Sequence, residues 1–237
     1  MLPVIYEYKM LPSTNTTAKE RILAGDRSGV ILAHRQSAGR GRLGRSFFSE
    51  NGLFMSVIIA PEKITFSPSL LTSVAAVAVC RTLRDREFDI GIKWVNDLYY
   101  QGKKVCGILT EAVSNGNNIL GYVIGIGINL ENGKFPEDLK DIATSLPISL
   151  SEKTNLLLEI LHNLDLTLSE PTPSLITFLR EHSVVLGKPI RFFGTSCGEG
   201  VATGLDENGG LIVLTNDGKT VTLTTGEISV RLNVPKA

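Results

Sequence analysis

The chain has 237 residues, 43% of them apolar, and its 24 basic and 24 acidic residues give a formal net charge of zero. That is enough apolar material for a large core, and it predicts one sizeable domain with room for a small appendage. Zero net charge argues against general affinity for nucleic acid, and three scattered cysteines with no C-x-x-C pair (Cys80, Cys106, Cys197) argue for a reduced, cytoplasmic protein rather than a secreted one. His34, His162 and His182 have no metal-ligand spacing, Met1–Glu7 has no signal-peptide character, and the nearly apolar run Ile119–Leu130 is too short to span a bilayer.

In chain order, Val4–Leu11 reads as a strand, and Pro12-Ser13-Thr14-Asn15 as a turn with N-cap residues. Thr16–Ala24 has helical propensity and ends at Gly25. Val30–Ala33 and Gly52–Ile59 read as strands flanking a loop. Leu70, Leu71, Val74, Val77, Ala78 and Leu83 recur at helical spacing over Ser69–Arg86. Ile90–Tyr100 reads as a strand running into a polar turn. Lys104–Val113 and Asn118–Leu130 are further strands, joined by hairpin-like connections. Such a series implies an α+β architecture with a mixed, largely antiparallel sheet and its helices on one side. After a loop-rich excursion at 131–150, Lys153–Leu168 and Ser174–Leu186 read as amphipathic helices separated by Pro171-Thr172-Pro173. From Gly187 short β-rich runs alternate with turns: Ile190–Phe193, Gly198–Leu205, Leu211–Thr215 and Thr220–Leu223. Asp206–Gly210 and Asn216-Asp217-Gly218 are hairpin turns. The predicted division is residues 1–186 and a small, five-stranded barrel-like domain over 187–237.

The loop Ser37-Ala38-Gly39-Arg40-Gly41-Arg42-Leu43-Gly44-Arg45 packs three arginines and three glycines into its last seven residues. Glycines let backbone N–H groups approach a ligand, and arginines offer forked donors for phosphate or carboxylate. Gly39-x-Gly41-x-x-Gly44 spells a dinucleotide fingerprint, but a strand rather than a helix follows, and no Gly-Lys-Ser/Thr marks a P-loop. Taken alone, the loop reads as a solvated basic hairpin or an Arg-Gly patch for nucleic acid. Ordering it costs more than three charge-assisted contacts return, so residues 39–45 are expected to be mobile without ligand.

A second cluster, Lys93-Trp94-Val95-Asn96-Asp97, lies just before Lys104. A lysine in an apolar strand is rare unless paired. The bland reading is a Lys93–Asp97 structural pair with Trp94 as core. The two clusters together supply Arg40, Arg42, Arg45, Lys93 and Lys104 as cations, Asp97 as carboxylate, and Gln36, Asn96 and Asn129 as amides. No nucleophile is evident. Phosphoryl or nucleotidyl transfer, catalysed by positioning and by neutralising anions, fits this inventory.

Ser13-Thr14-Asn15, the Gln36–Arg45 stretch, Lys93–Tyr99, Lys104–Glu111 and Gly125-Ile126-Gly127-Ile128-Asn129 occur in that order, and Gly226–Arg231 closes the series. The series resembles the motifs of the biotin–protein ligases. The resemblance implies a class II synthetase-like catalytic domain with an SH3-like C-terminal barrel. It also implies a ligase that forms a C–N bond in two steps. Biotin would attack the α-phosphate of ATP, supplied as Mg·ATP with no intrinsic metal site. Biotinyl-5′-adenylate would then pass biotin to a lysine of the biotinyl domain of a biotin carboxyl carrier protein. Carried over by position, Ser13, Thr14, Asn15, Gln36, Gly39, Arg40, Gly41, Arg42, Lys104, Gly107, Gly125 and Gly127 would bind biotin. Arg42, Arg45, Phe47, Lys93, Asn96, Asp97, Lys104 and Asn129 would serve ATP, with Lys104, Arg42 and Asp97 catalytic.

Val95 stands where many members have proline, and Phe47 where many have tryptophan. A strand beginning near Val4 leaves no room for the N-terminal DNA-binding domain of the bifunctional members, so no DNA and no membrane partner is expected. A homodimer through an edge strand is left open. Lipoate–protein ligase and a non-catalytic nucleic-acid binder are the alternatives.

Overall fold

The structure, a computed structural model, describes residues 3–44, 47, 51–131, 135–194, 197–224 and 229–232. Strands β1 (Ile5–Leu11), β2 (Gly29–Gln36), β3 (Gly52–Ile59), β4 (Ile90–Lys93), β5 (Asp97–Tyr100), β6 (Lys103–Asn115) and β7 (Asn118–Asn129) form one sheet in the order β1-β2-β3-β7-β6-β5-β4. β1 and β2 run parallel, joined through helix α1 (Thr14–Leu23), and every other neighbouring pair is antiparallel.

The sheet is covered on both faces, which corrects the expectation of helices on one side. Alternation along the strands sends one set of side chains each way. Leu53, Met55, Ile124, Ile126 and Ile128 pack with helices α2 (Leu71–Asp85), α3 (Lys153–Leu168) and α4 (Thr172–Glu181). Ile31, Ile58 and Val123 pack with Ala18 and Ile22 of α1 on the other face. Helix α2 is buried nearly all round, because α3 and α4 cover the side it turns from the sheet.

Several boundaries differ from the sequence expectation. α1 begins at Thr14, not Thr16, because its first amide finds an acceptor on β2, as described below. α2 begins at Leu71, after a separate 3₁₀ turn over Pro68–Leu70. α4 begins at Thr172, since Pro173 sits in the first turn, where a proline lacks nothing the helix needs. It ends at Glu181 because Ser183 leaves to bridge Ile92, with Ile92 N donating to His182 O and Val184 N to Ile92 O. The stretch 90–100 is not one strand but a hairpin, β4 and β5, turning at Trp94–Asn96, where the Trp94–Val95 peptide is cis.

Strands β8 (Pro189–Phe193), β9 (Gly198–Leu205), β10 (Leu211–Thr215), β11 (Thr220–Leu223) and β12 (Ser229–Leu232) form a second sheet in the order β11-β10-β9-β8-β12. Its inward side chains, among them Ile190, Phe192, Leu211 and Val213, are continuous with the main core. Polar ties join the parts: among the described residues, Trp94 Nε1 donates to Gly209 O at 2.9 Å, and Arg180 Nη2 donates to Leu205 O at 2.5 Å. Trp94 is therefore a core residue with a buried polar handle, as the bland reading had it.

Trp94→Phe leaves the Gly209 carbonyl buried without its donor, and should destabilise the fold by about 1–3 kcal/mol. Urea unfolding followed by far-ultraviolet circular dichroism checks this.

Candidate functional site

On the α1 face of the sheet, one pocket is lined by residues from six separate stretches: Ser13-Thr14-Asn15, Gln36, Arg40-Gly41-Arg42 with Phe47, Asn96, Lys104 with Gly107-Ile108-Leu109, and Gly125-Ile126-Gly127. Of the residues singled out from sequence, Ser13, Thr14, Asn15, Gln36, Arg40, Gly41, Arg42, Phe47, Asn96, Lys104, Gly107, Gly125 and Gly127 converge here. Gly39 does not line the pocket, and its carbonyl accepts from Phe47 N. Arg45, and Gly226, Glu227 and Ile228 of the closing motif, lie outside the described residues.

The glycine-rich loop is anchored at both ends. Ser37 N donates to Leu11 O at 3.0 Å, Ala38 N to Pro12 O at 2.9 Å, and Phe47 N to Gly39 O at 2.8 Å. Arg42–Gly44 forms a 3₁₀ turn, and Gly44 takes a φ of +71°, a conformation that suits glycine.

The hairpin holds the loop from the other side. Asn96 is pinned to β6 by Ile108 N donating to its carbonyl at 2.9 Å and by its own Nδ2 donating to Ile108 O at 3.0 Å. Its Oδ1 is then presented to the loop, and accepts from Arg42 Nη1 at 3.2 Å. The next residue, Asp97, faces Lys104, with Nζ 2.6 Å from Oδ1. The ion pair is thus Lys104–Asp97 and not the Lys93–Asp97 pair of the bland reading. Lys93 and Asp97 are opposite each other across the hairpin, but Lys93 Nζ donates to the Tyr99 hydroxyl at 3.2 Å. Burial, and next the charge of Asp97, hold that hydroxyl's pKa above its ordinary value.

Lys93, Asp97 and Asn129 do not line the pocket. Asp97 stands behind Lys104. Asn129, buried at the end of β7, donates Nδ2 to Thr144 O at 3.1 Å and accepts from Leu146 N at 3.0 Å, so it fastens the 131–150 excursion.

The opposite wall begins where α1 does. Ser13 has the extended backbone of an N-cap, yet its side chain makes no capping bond. Thr14 N donates instead to Gln36 Oε1 at 2.8 Å, and Thr14 Oγ1 lies 3.2 Å from the same atom. Asn15 Nδ2 donates to Leu109 O at 3.2 Å and to Glu111 Oε2 at 2.8 Å, while Lys19 Nζ holds Glu111 Oε1 at 2.9 Å. Ser56 Oγ lies 2.6 Å from Asn15 Oδ1 and 2.8 Å from Thr14 Oγ1. Burial pushes the Glu111 carboxyl up, but the Asn15 and Lys19 bonds outweigh it and hold the pKa below its usual value. Ser56, Lys19 and Glu111 were not among the sequence candidates. Ser56 had a signal, as the one polar side chain in the run Leu53–Ile59.

Two glycines open the floor. A Cβ on Gly125 would lie 2.1 Å from Asn15 Oδ1, and one on Gly127 would lie 2.7 Å from the Phe47 ring. Phe47 rests over Gly127 and Gly107 and meets Phe54 edge-on at 6.4 Å. With that ring in place the open volume is about 50 Å³, room for a few waters. The arrangement offers an apolar slot, a polar wall and three cations, Arg40, Arg42 and Lys104, which suits a partly apolar ligand with an anionic end. Among the described residues no group of three or more His, Cys, Asp and Glu side chains could hold a metal ion. Cys80 and Cys106 are buried, which pushes the Cys80 thiol up to about 12 and the Cys106 thiol up as well, so neither is a nucleophile.

Residues 7–129 match the model of the Biotin/lipoate A/B protein ligase family, and residues 185–231 that of the Biotin protein ligase C terminal domain. The chain is similar to the Bifunctional ligase/repressor BirA of Bacillus subtilis (strain 168), 38% identical over 161 residues, 65% of this chain and 50% of the relative. It is similar to the Biotin--[acetyl-CoA-carboxylase] ligase of Paracoccus denitrificans, 34% identical over 152 residues, 61% of this chain and 63% of the relative. The chain spans about half the length of the first of these curated relatives. Among solved structures, Biotin protein ligase from Aquifex aeolicus in complex with biotin and ATP superposes with a TM-score of 0.85 at 28% identity, covering 98% of this chain and all of that one.

Gly125→Ala should push Asn15 out of place and destabilise the fold by about 1–3 kcal/mol. Thermal unfolding of the purified variant measures it.

Proposed function

Because the chain belongs to the Biotin/lipoate A/B protein ligase family, we propose that it is a biotin–protein ligase, with residues 1–186 as its catalytic domain and 187–237 as a small C-terminal one. In this reading it joins biotin and ATP into biotinyl-5′-adenylate and transfers biotin to a lysine of a biotin carboxyl carrier protein's biotinyl domain. The observation that carries the reading is the convergence of Arg42 and Lys104, from separate elements, on one apolar slot.

The chemistry follows from that convergence. A carboxylate oxygen must bond to a phosphorus surrounded by anionic oxygens, and the two anions repel each other. Lys104 bonds the biotin carboxylate and the charge that grows at phosphorus, while Arg42 grips the phosphates. Pyrophosphate leaves with the electrons of the broken P–O bond. Fixed cations in a site closed to water need no reorganisation as the charge moves, which is how such a clamp lowers the barrier. Mg²⁺ enters as Mg·ATP and supplies further neutralisation of the phosphates, held chiefly by them. In the second half-reaction the acceptor amine attacks the anhydride carbonyl, AMP leaves, and Asp97 is the carboxylate placed to take up the amine's proton once Lys104 turns to the ligand. Biotin's bicyclic body takes the space over Gly107 and Gly127, which requires Phe47 to swing aside and become its lid. Free cysteines and a cytosolic acceptor suit a cytoplasmic setting.

Biotin-dependent ATP–pyrophosphate exchange tests the reading; exchange driven by lipoate in place of biotin would turn the assignment to lipoate ligation. Lys104→Ala should lower the exchange rate roughly 100- to 1,000-fold with the fold intact, and near-normal exchange would remove Lys104 from the mechanism.

A further inference from the structure

On the sheet face that carries α3 lies a second cavity, of about 150 Å³, which shares no lining residue with the pocket on the α1 face. It sits where the sheet opens. β2 and β3 pair only as far as Ala33 opposite Phe54, so the end of β2 and the start of β3 part beyond that point. Lys153, the first residue of α3, reaches into the opening, and its Nζ donates to Ala33 O at 3.3 Å. Leu32 and His34, on either side of Ala33, both line the cavity, which places the ammonium at its wall.

That ammonium is poorly compensated. Lys153 is only 8% exposed, and a buried cation is costly unless it is paired and hydrogen-bonded. It carries three N–H donors. Among the described residues one acceptor meets them, a neutral carbonyl at a distance long for a charge-assisted bond. The helix end it occupies favours an anion over a cation. Burial pushes its pKa down and the charge of Glu7 acts the other way. The Glu7 side chain is more than half exposed, however, and His34 Nε2 already lies 2.9 Å from its Oε1. Asn51 and Thr154 add an amide and a hydroxyl to the lining.

We propose that this cavity is a binding site for a small inorganic oxyanion, with Lys153 as its charged wall. Pockets for drug-sized ligands run to about 300–1,000 Å³, so 150 Å³ suits a phosphate-sized ion with part of its water. The ion accepts from the ammonium donors that the Ala33 carbonyl leaves over. An ion with several oxygens bridges from there to the Asn51 amide and the Thr154 hydroxyl, and it neutralises a charge that the fold leaves nearly bare. The site is separate from the pocket described above, and the inference does not rest on the ligase reading.

Equilibrium dialysis with labelled inorganic phosphate, at constant ionic strength in chloride, tests this. The Arg42→Ala/Lys104→Ala chain, which lacks two cations of the other pocket, should still bind phosphate at millimolar concentration. Adding Lys153→Met, which keeps the apolar stem and removes the charge, should weaken that binding by about tenfold or more. Circular dichroism checks the fold, and Lys153→Gln, which retains a donor for Ala33 O, replaces the methionine variant if that one does not fold. Phosphate binding unchanged by the Lys153 substitution overturns the proposal, as does a chain with Lys153 intact that binds no phosphate at these concentrations.

Discussion

Of the three cations that line a single cavity, adjacent residues of one hairpin hold two, Arg42 and Lys104. Asn96 accepts from Arg42 and Asp97 pairs with Lys104. Like charges so placed repel, and each is tolerable because it has its own acceptor. The acceptors are themselves rigid, since Asn96 is bonded twice to Ile108 of β6. The glycine-rich loop, otherwise a basic surface hairpin, is drawn over the pocket by this contact. An incoming anion finds the cations already oriented, and the Asn96 amide and the Asp97 carboxylate are among the groups it competes with.

The pocket needs the sheet to be thin on one side. Gly107, Gly125 and Gly127 lie on the face shared by β6 and β7, and without side chains they leave a trough that Asn15 and Phe47 enter. The cost of glycine in strand interiors is offset by the opposite face, where Ile108, Ile124, Ile126 and Ile128 are fully packed. The same two strands therefore present a core to α2 and a binding floor to the loop. Helix α1 completes the wall because Gln36, rather than its own N-cap side chain, receives its first amide.

Much of this was legible in the residues. Strong local chemistry marks the Arg-Gly loop, the β-hairpin turns after Gly187 and the helix Lys153–Leu168, and the structure has that helix at those bounds. Whatever depends on a distant partner was not. The start of α1 is set by Gln36, 22 residues away, and Ser56 and Glu111 matter only because β3 and β6 are brought beside Asn15. The choice of Lys104 over Lys93 as partner for Asp97 turns on the register shift between Leu98 and Tyr99 in the β5–β6 pairing, which no single stretch of sequence reveals. Asn129 looked like a pocket amide by its place in the Gly125–Asn129 run, yet it fastens Thr144 instead.

The central claim is that the flap arginine and the hairpin lysine act on the same pair of reacting anions. A double-mutant cycle of Arg42→Ala and Lys104→Ala, read as kcat/KM for biotin-dependent ATP–pyrophosphate exchange, tests it most directly. The account predicts that the double variant loses less than the product of the two single losses, by a coupling of about 1 kcal/mol or more. Losses that multiply without coupling would contradict it, and would assign the two cations to separate tasks.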